Sequence, residues 1–249
     1  MENKKENKIL KNLLWSLGFL VILALTIGIA SALPSGPSSI TQISSGRYSL
    51  TSAQNLSALA GNVSETNFNG NSITNTWQGY FGNVSGKIIL GDANNKTFYD
   101  WTLASARGKI YATRTASVPT WASIRCANIT NVNTEDATLG TNQTSDLDSV
   151  NNTFLNLTTF PSFYVGSVYI NSTPGCYATK LYNSSGVKST TNFNEILLSD
   201  TSSLIYTGLL EQQSTGYDNR THDFEMLVGE NGHGSDTAVT PYYFYLELG

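Results

Sequence analysis

Charge is scarce in this chain. Only 13% of its 249 residues are Asp, Glu, Lys or Arg, and it has two histidines, two cysteines and six prolines. Each shortage excludes something. So few cations cannot neutralise a phosphate backbone, which excludes nucleic acid as a partner. The same balance excludes a surface that clings to anionic lipid heads. Cys126 and Cys176 are the whole thiol inventory, and no Cys-x-x-Cys or Cys/His spacing is present, which excludes a zinc site. No Gly-x-Ser-x-Gly elbow occurs, and His222 beside Asp223 is not a triad by itself. Glycosidase chemistry needs two carboxyls facing across a cleft, and nothing in the spacing of the acids selects a pair. No catalytic residue and no cofactor are assigned.

Long apolar runs are equally few. The one at residues 13–30 follows Lys4, Lys5, Lys8 and Lys11 and leads to the small residues Ala30, Ser31 and Ala32. That order predicts an export signal at 1–32, cut after Ala32. Its length of about 18 residues could also span a bilayer, so a retained anchor helix is the alternative. Either way the lysines hold the N-terminus inside and the body outside, and the membrane is touched only through an uncut leader. A type IV pilin stem is the weaker reading, because no fitting cut site precedes Leu13. The leader holds four of the 14 basic and two of the 18 acidic residues, which leaves the body with 10 against 16, a net −6.

What is abundant is Asn, Ser and Thr. Glycan acceptor triplets stand at Asn55, Asn62, Asn83, Asn95, Asn128, Asn142, Asn151, Asn156, Asn183 and Asn219, with Asn171 weakened by Pro174. Chance alone gives roughly five or six in such a composition, so several are read as N-linked attachment points, where sugar supplies the hydration that charge does not. An exported chain with two cysteines is expected to pair them, Cys126 to Cys176, as a disulfide.

Residues 33–60 carry few large apolar side chains and open on Pro34, Gly36 and Pro37, which predicts a flexible or strand-like N-terminal arm. Such an arm could order itself on another subunit's sheet edge, with Ile40, Ile43 and Tyr48 as the contact residues. Residues 61–249 read as one domain of strands. Runs at 77–81, 86–90, 97–103, 110–115, 163–170, 196–198, 204–210, 223–228 and 242–248 are short, apolar or alternating, and bounded by turn residues. Segment 97–103 sets Tyr99, Trp101 and Leu103 against Phe98, Asp100 and Thr102. Residues 145–155 predict a short helix with Asp146 and Asp148 at its positive end. The segments 88–92 and 196–200 echo each other as strand and acidic turn, from a duplication or from shared turn chemistry. The resulting fold class is all-β with minor α, an antiparallel β-sandwich with Ig-like or jelly-roll-like layering.

Two site types need separate mention. The loop at 229–240 is Gly-rich and acidic, and Glu230 and Asp236 are weak calcium candidates, although no EF-hand or nonapeptide spacing is present. The aromatics Trp77, Tyr80, Phe81, Trp101, Tyr242, Tyr243 and Tyr245 either pack in the core or stack on sugar rings. Tyr243 and Tyr245 are the foremost exposed candidates, unless they fill a second buried face.

Several stretches carry a resemblance. They are Gly61-Asn62-Val63-Ser64-Glu65, residues 76–86, Tyr99-Asp100-Trp101, residues 148–154, residues 222–229 and residues 232–237. Together they resemble a family of secreted, mostly uncharacterised proteins from small-genome archaea, over nearly the whole body. The resemblance implies an archaeal cell-surface setting and carries over no catalytic residue. With it, the expected function is structural: a glycosylated, self-associating subunit of an extracellular filament or surface layer. The alternative is an adhesin or carbohydrate-binding module.

Overall fold

The computed structural model describes residues 32–49, 51–102, 107–172, 175–231 and 239–249. The expected signal or anchor helix lies outside them. Among the described residues no helix is long and apolar enough to cross a membrane.

In chain order the strands are β1 (Trp77–Gly82), β2 (Lys87–Gly91), β3 (Thr97–Thr102), β4 (Gly108–Thr113), β5 (Arg125–Cys126), β6 (Phe163–Val165) and β7 (Val168–Ile170). They continue with β8 (Ala178–Lys180), β9 (Asn194–Ser199), β10 (Leu204–Leu209), β11 (Ser214–Thr215), β12 (Thr221–His222), β13 (Phe224–Gly229) and β14 (Tyr243–Leu248). Among the described residues two α-helices, α1 (Ile129–Leu139) and α2 (Val150–Thr153), and a 3-10 turn at Trp121–Ser123 interrupt them. The fold is all-β with minor helix, and every described strand pair is antiparallel.

A six-stranded sheet in the order β14-β4-β10-β9-β5 forms the centre, with β8 also on β9. Its pleat sends alternate residues to two cores. Tyr111, Ile196, Leu198, Ile205 and Tyr245 enter one core, which β6, β7, Trp121 and Phe160 cover. Ile110, Ala112, Leu197 and Tyr206 enter the other, which α1, α2 and the β1–β13 ribbon cover. Strand β9 is buried at all six positions, so its sequence reads as a run and not as an alternation. The ribbon lies close to the sheet at Gly208, where a Cβ would sit 3.1 Å from Ile110 Cγ2 and 3.7 Å from Met226 Cβ.

Turn chemistry accounts for the echo. Asp92 Oδ1 accepts from the N–H groups of Asn94 and Lys96, and Asp200 Oδ1 accepts from those of Ser202 and Ser203. The same Asx turn closes β2–β3 at the periphery and β9–β10 at the centre, two hairpins with different surroundings.

Two expectations change in detail, and one pairing that the strand runs left open is decided. Residues 223–228 and 242–248 belong to different sheets, β13 pairing with β1 and β14 with β4. Residues 163–170 make two short strands around Gly166, whose φ of 55° turns the chain. The helix expected at 145–155 shrinks to four residues, and the longer helix is α1. Its ends are well specified: Asn128 and Asn131 form a reciprocal capping box, and Gly140 closes the helix at φ 72°. Its buried stripe is Val132, Glu135, Asp136 and Leu139. Two acids in that stripe hide the apolar period. Both acids are satisfied within the fold. Glu135 takes Arg114 and, at 2.9 Å, the Tyr206 hydroxyl. Asp136 takes the backbone N–H groups of Val150 and Asn151 at 2.6 and 3.2 Å, closing the N-terminus of α2.

The disulfide joins Cys126 to Cys176 with Cα atoms 4.7 Å apart. Its place follows from the sheet. β5 and β8 lie end to end along the same side of β9, Cys126 opposite Leu198 and Ala178 opposite Ile196. Neither short strand has many ladder bonds of its own, and the bridge ties them into one edge.

Candidate functional site

Residues 36–49 and 51–75 stand apart from this body as a strap. Every described residue from 38 to 72 is exposed. The strap is held at both ends. Ser35 makes two backbone bonds with Leu246 on the open side of β14, at 3.0 and 2.8 Å. At the other end Thr74 Oγ1 and Thr76 Oγ1 donate to Asp148 Oδ2, and Trp77 Nε1 donates to the Asp148 carbonyl. Between these anchors the described backbone bond is a turn, Asn62 N–H to Leu59 O, with Gly61 at φ 86°. The expected contact residues all lie bare: Ile40 is 68%, Ile43 95% and Tyr48 60% exposed. Leu56, Leu59, Val63 and Phe68 are bare as well.

A second unpartnered element is the β2–β3 hairpin. Its register sets Ile88 opposite Trp101 and Leu90 opposite Tyr99, which gathers four large apolar side chains on one face. Leu90, Tyr99 and Trp101 are each at least half exposed. The other face carries Ile89 and Phe98, also bare, with the Lys87–Asp100 ion pair at 2.8 Å. Soluble folds seldom leave such a hairpin uncovered.

The sequons occupy the surface. Asn55, Asn62, Asn83, Asn95, Asn128, Asn142, Asn156 and Asn219 are exposed, and Asn151 and Asn183 are half-buried. Asn95 and Asn219 sit at turns with φ near 60°. Asn142 and Asn183 accept from backbone N–H groups two residues on. These bonds use the carbonyl oxygen and not the nitrogen that would carry a sugar.

The third feature is a cleft of about 1010 Å³ over the outer side of the β1–β13 ribbon. Phe81, Tyr182, Tyr217, Lys180 and Glu225 line it, as do Gly46 and Arg47 of the strap. Gly79 lines its floor, and a Cβ there would meet nothing within 4 Å. Glu225 is buried, which raises its pKa, and accepts from Tyr217 N–H at 2.9 Å. Beside it His222 Nε2 meets Asp218 Oδ1 at 2.8 Å. Burial works to raise Asp218, but hydrogen bonds from His222 and Arg220 outweigh it and lower the pKa to about 2. Phe81 meets the Tyr217 ring edge-on at 5.2 Å and the His222 ring at a tilt at 4.9 Å. These groups brace the β11–β12 turn. Asp223 is likewise occupied, accepting from Val84 N–H and Gln213 N–H.

The calcium candidates divide. Glu230 accepts from Thr240 Oγ1 at 3.1 Å, while Asp236 lies outside the described residues, as does His233. Among the described residues no group of three or more His, Cys, Asp or Glu could hold a metal ion. Of the two foremost aromatics, Tyr243 is 40% exposed, whereas Tyr245 is buried against Trp121 and fills the second face. The expected strand runs at 86–90 and 97–103 form the hairpin, but nothing in the sequence pointed to the cleft, whose walls come from β1, β8, β13, the turn at 216–220 and the strap at Gly46 and Arg47. No local pattern announces such a meeting. Comparison with protein-family models, curated proteins and solved structures finds no match, so the functional reading rests on the chain itself.

Proposed function

We propose that this is a structural protein of the cell surface, a glycosylated subunit of an extracellular filament or surface layer, in the archaeal setting that the sequence resemblance implies. The observation that carries it is the strap. A body with a large two-sided core holds out some forty residues of extended chain with apolar side chains in water. Loops this long in compact domains serve a function or stay unstructured, and bare apolar groups mark contact surfaces. The exposed sequons and the disulfide fit exported life. Electron microscopy of the exported protein, negatively stained, tests the reading. Filaments or sheets are expected, and uniform single particles across salt and divalent-ion conditions refute it. Intact mass of the same sample is expected to exceed that of residues 33–249 by several glycans.

A second reading, a carbohydrate-binding module, is favoured by the cleft alone, where Phe81, Tyr182 and Tyr217 surround an open glycine floor. It predicts that sugar binding quenches or shifts tyrosine fluorescence and that Tyr217→Ala abolishes the change. A flat titration against a broad glycan panel removes it.

A further inference from the structure

Resting on that reading, we infer that the strap of one copy seats on the β2–β3 hairpin of the next, so that subunits join head to tail. The hairpin is the acceptor. Two strands alone are marginally stable in water, and a third strand or a covering layer is needed. Among the described residues its edges carry no further strand, and on its Ile88/Leu90/Tyr99/Trp101 face Leu90, Tyr99 and Trp101 are each at least half exposed, with Ile88 half-buried. The strap is the donor, a segment whose described backbone bond between the anchors is the 59–62 turn alone.

Charge selects a second copy as the occupant. The body carries net −6, so two copies repel through most of their surface. The strap holds one cation and one anion, Arg47 and Glu65, and the hairpin holds Lys87 and Lys96 against Asp92 and Asp100. Both segments are neutral, and all the net charge lies elsewhere. Their contact is one that identical acidic molecules can make without opposing fields. Reach permits it as well. A strap tied at Ser35 and Thr74 can extend out and back about 65 Å at the limit of a stretched chain. The body of 174 residues from 76 to 249 has a radius of gyration of only about 16 Å. Donor and acceptor are different surfaces, so the contact is heterologous and propagates into an open polymer and not a closed dimer.

Complementation between two variants of the full exported chain tests this. The first carries Ile40→Asp and Ile43→Asp, with a companion in which residues 39–72 become a Gly/Ser spacer. The second carries Leu90→Asp and Trp101→Ser. All these side chains are solvent-facing, and circular dichroism checks that each variant keeps the wild-type spectrum. Light scattering after size exclusion is the readout. Neither variant is expected to grow beyond a monomer where wild type polymerises, while their equimolar mixture forms a two-subunit complex and stops. A hairpin variant that polymerises like wild type overturns the inference and leaves the filament reading standing. So does a mixture with no complex, and so does a strap variant that still self-associates, which would assign the contact to hairpin against hairpin. A wild type that never leaves the monomer overturns both.

Discussion

Two buried acids show how single residues hold this fold, and they predict opposite responses. Asp136 closes the N-terminus of α2 through two backbone N–H groups and also accepts from Thr141 Oγ1 at 2.7 Å. Asp136→Ala leaves those donors buried without a partner. Each orphaned group costs about 1–3 kcal/mol, so urea midpoints should fall by an amount equivalent to roughly 2–4 kcal/mol, with Asp136→Asn intermediate. Glu195 is the reverse case. It is fully buried between β9 and the ribbon, accepts from Leu227 N–H at 2.8 Å through Oε2, and its Oε1 has no hydrogen-bond partner. Burial raises its pKa well above the ordinary carboxylate value. A raised acid holds its proton in the folded state more tightly than in the unfolded one. Its contribution is therefore greatest below the unfolded value and declines as pH climbs toward the folded one, by about 1.4 kcal/mol for each tenfold difference in proton affinity between the two states. Glu195→Gln is expected to raise the melting temperature at pH 7 and to change it little at pH 4. Equal effects at both pH values would contradict a neutral buried acid.

At the scale of elements, the sheet depends on two fragments aligned along one side of β9. β5 has two residues and β8 three, too few to stay paired alone. The disulfide closes a loop of 50 residues between them, for which chain entropy allows about 4 kcal/mol. Cys126→Ala with Cys176→Ala should lower stability by roughly that amount, and amide exchange should accelerate at Ala127 and Tyr177 before it does on β10. Uniform acceleration across the sheet would place the bridge's effect wholly in the unfolded chain. The same elements mark how far the sequence was legible. β9 and β10 could be read from short apolar runs around the acidic turn at Asp200, and β14 from its period-2 alternation. The pairing of Cys126 with Cys176 follows from having two cysteines. Helix α1 could not be read, because Glu135 and Asp136 occupy its buried stripe and their partners, Arg114, Tyr206 and the start of α2, come from distant parts of the chain. The partners of β13 and β14 were hidden for the same reason: adjacent strands in sequence look like a hairpin, and only the core decides that one belongs to the ribbon and the other to the central sheet. The cleft depends on distant segments from the strap to β13 and left no local trace.

On the scale of the whole molecule, low charge with a net −6 body sets how copies would meet in the proposed polymer. Two such bodies about 40 Å apart repel by roughly 1 kcal/mol when the screening length is about 30 Å, at 10 mM salt, and negligibly when it is about 8 Å, at 150 mM. A contact made by the neutral strap and hairpin contributes no opposing salt dependence. Apolar burial at the contact is in turn insensitive to dilute salt. Raising salt from 10 to 150 mM should therefore lower the critical concentration for polymerisation, on the order of fivefold, since 1.4 kcal/mol corresponds to a factor of ten. Subunits joined by ion pairs would behave the other way, because screening weakens the attraction that holds them. Sedimentation of the polymer across a salt series distinguishes the two by sign alone. A critical concentration that rises with salt would place charged residues at the joint and remove the neutral strap from it. In the proposed glycosylated subunit, sugars on Asn55 and Asn62 of the strap itself would sharpen the expectation. Glycans there must clear the joint, so the removal of glycans should shift the critical concentration without reversing its response to salt.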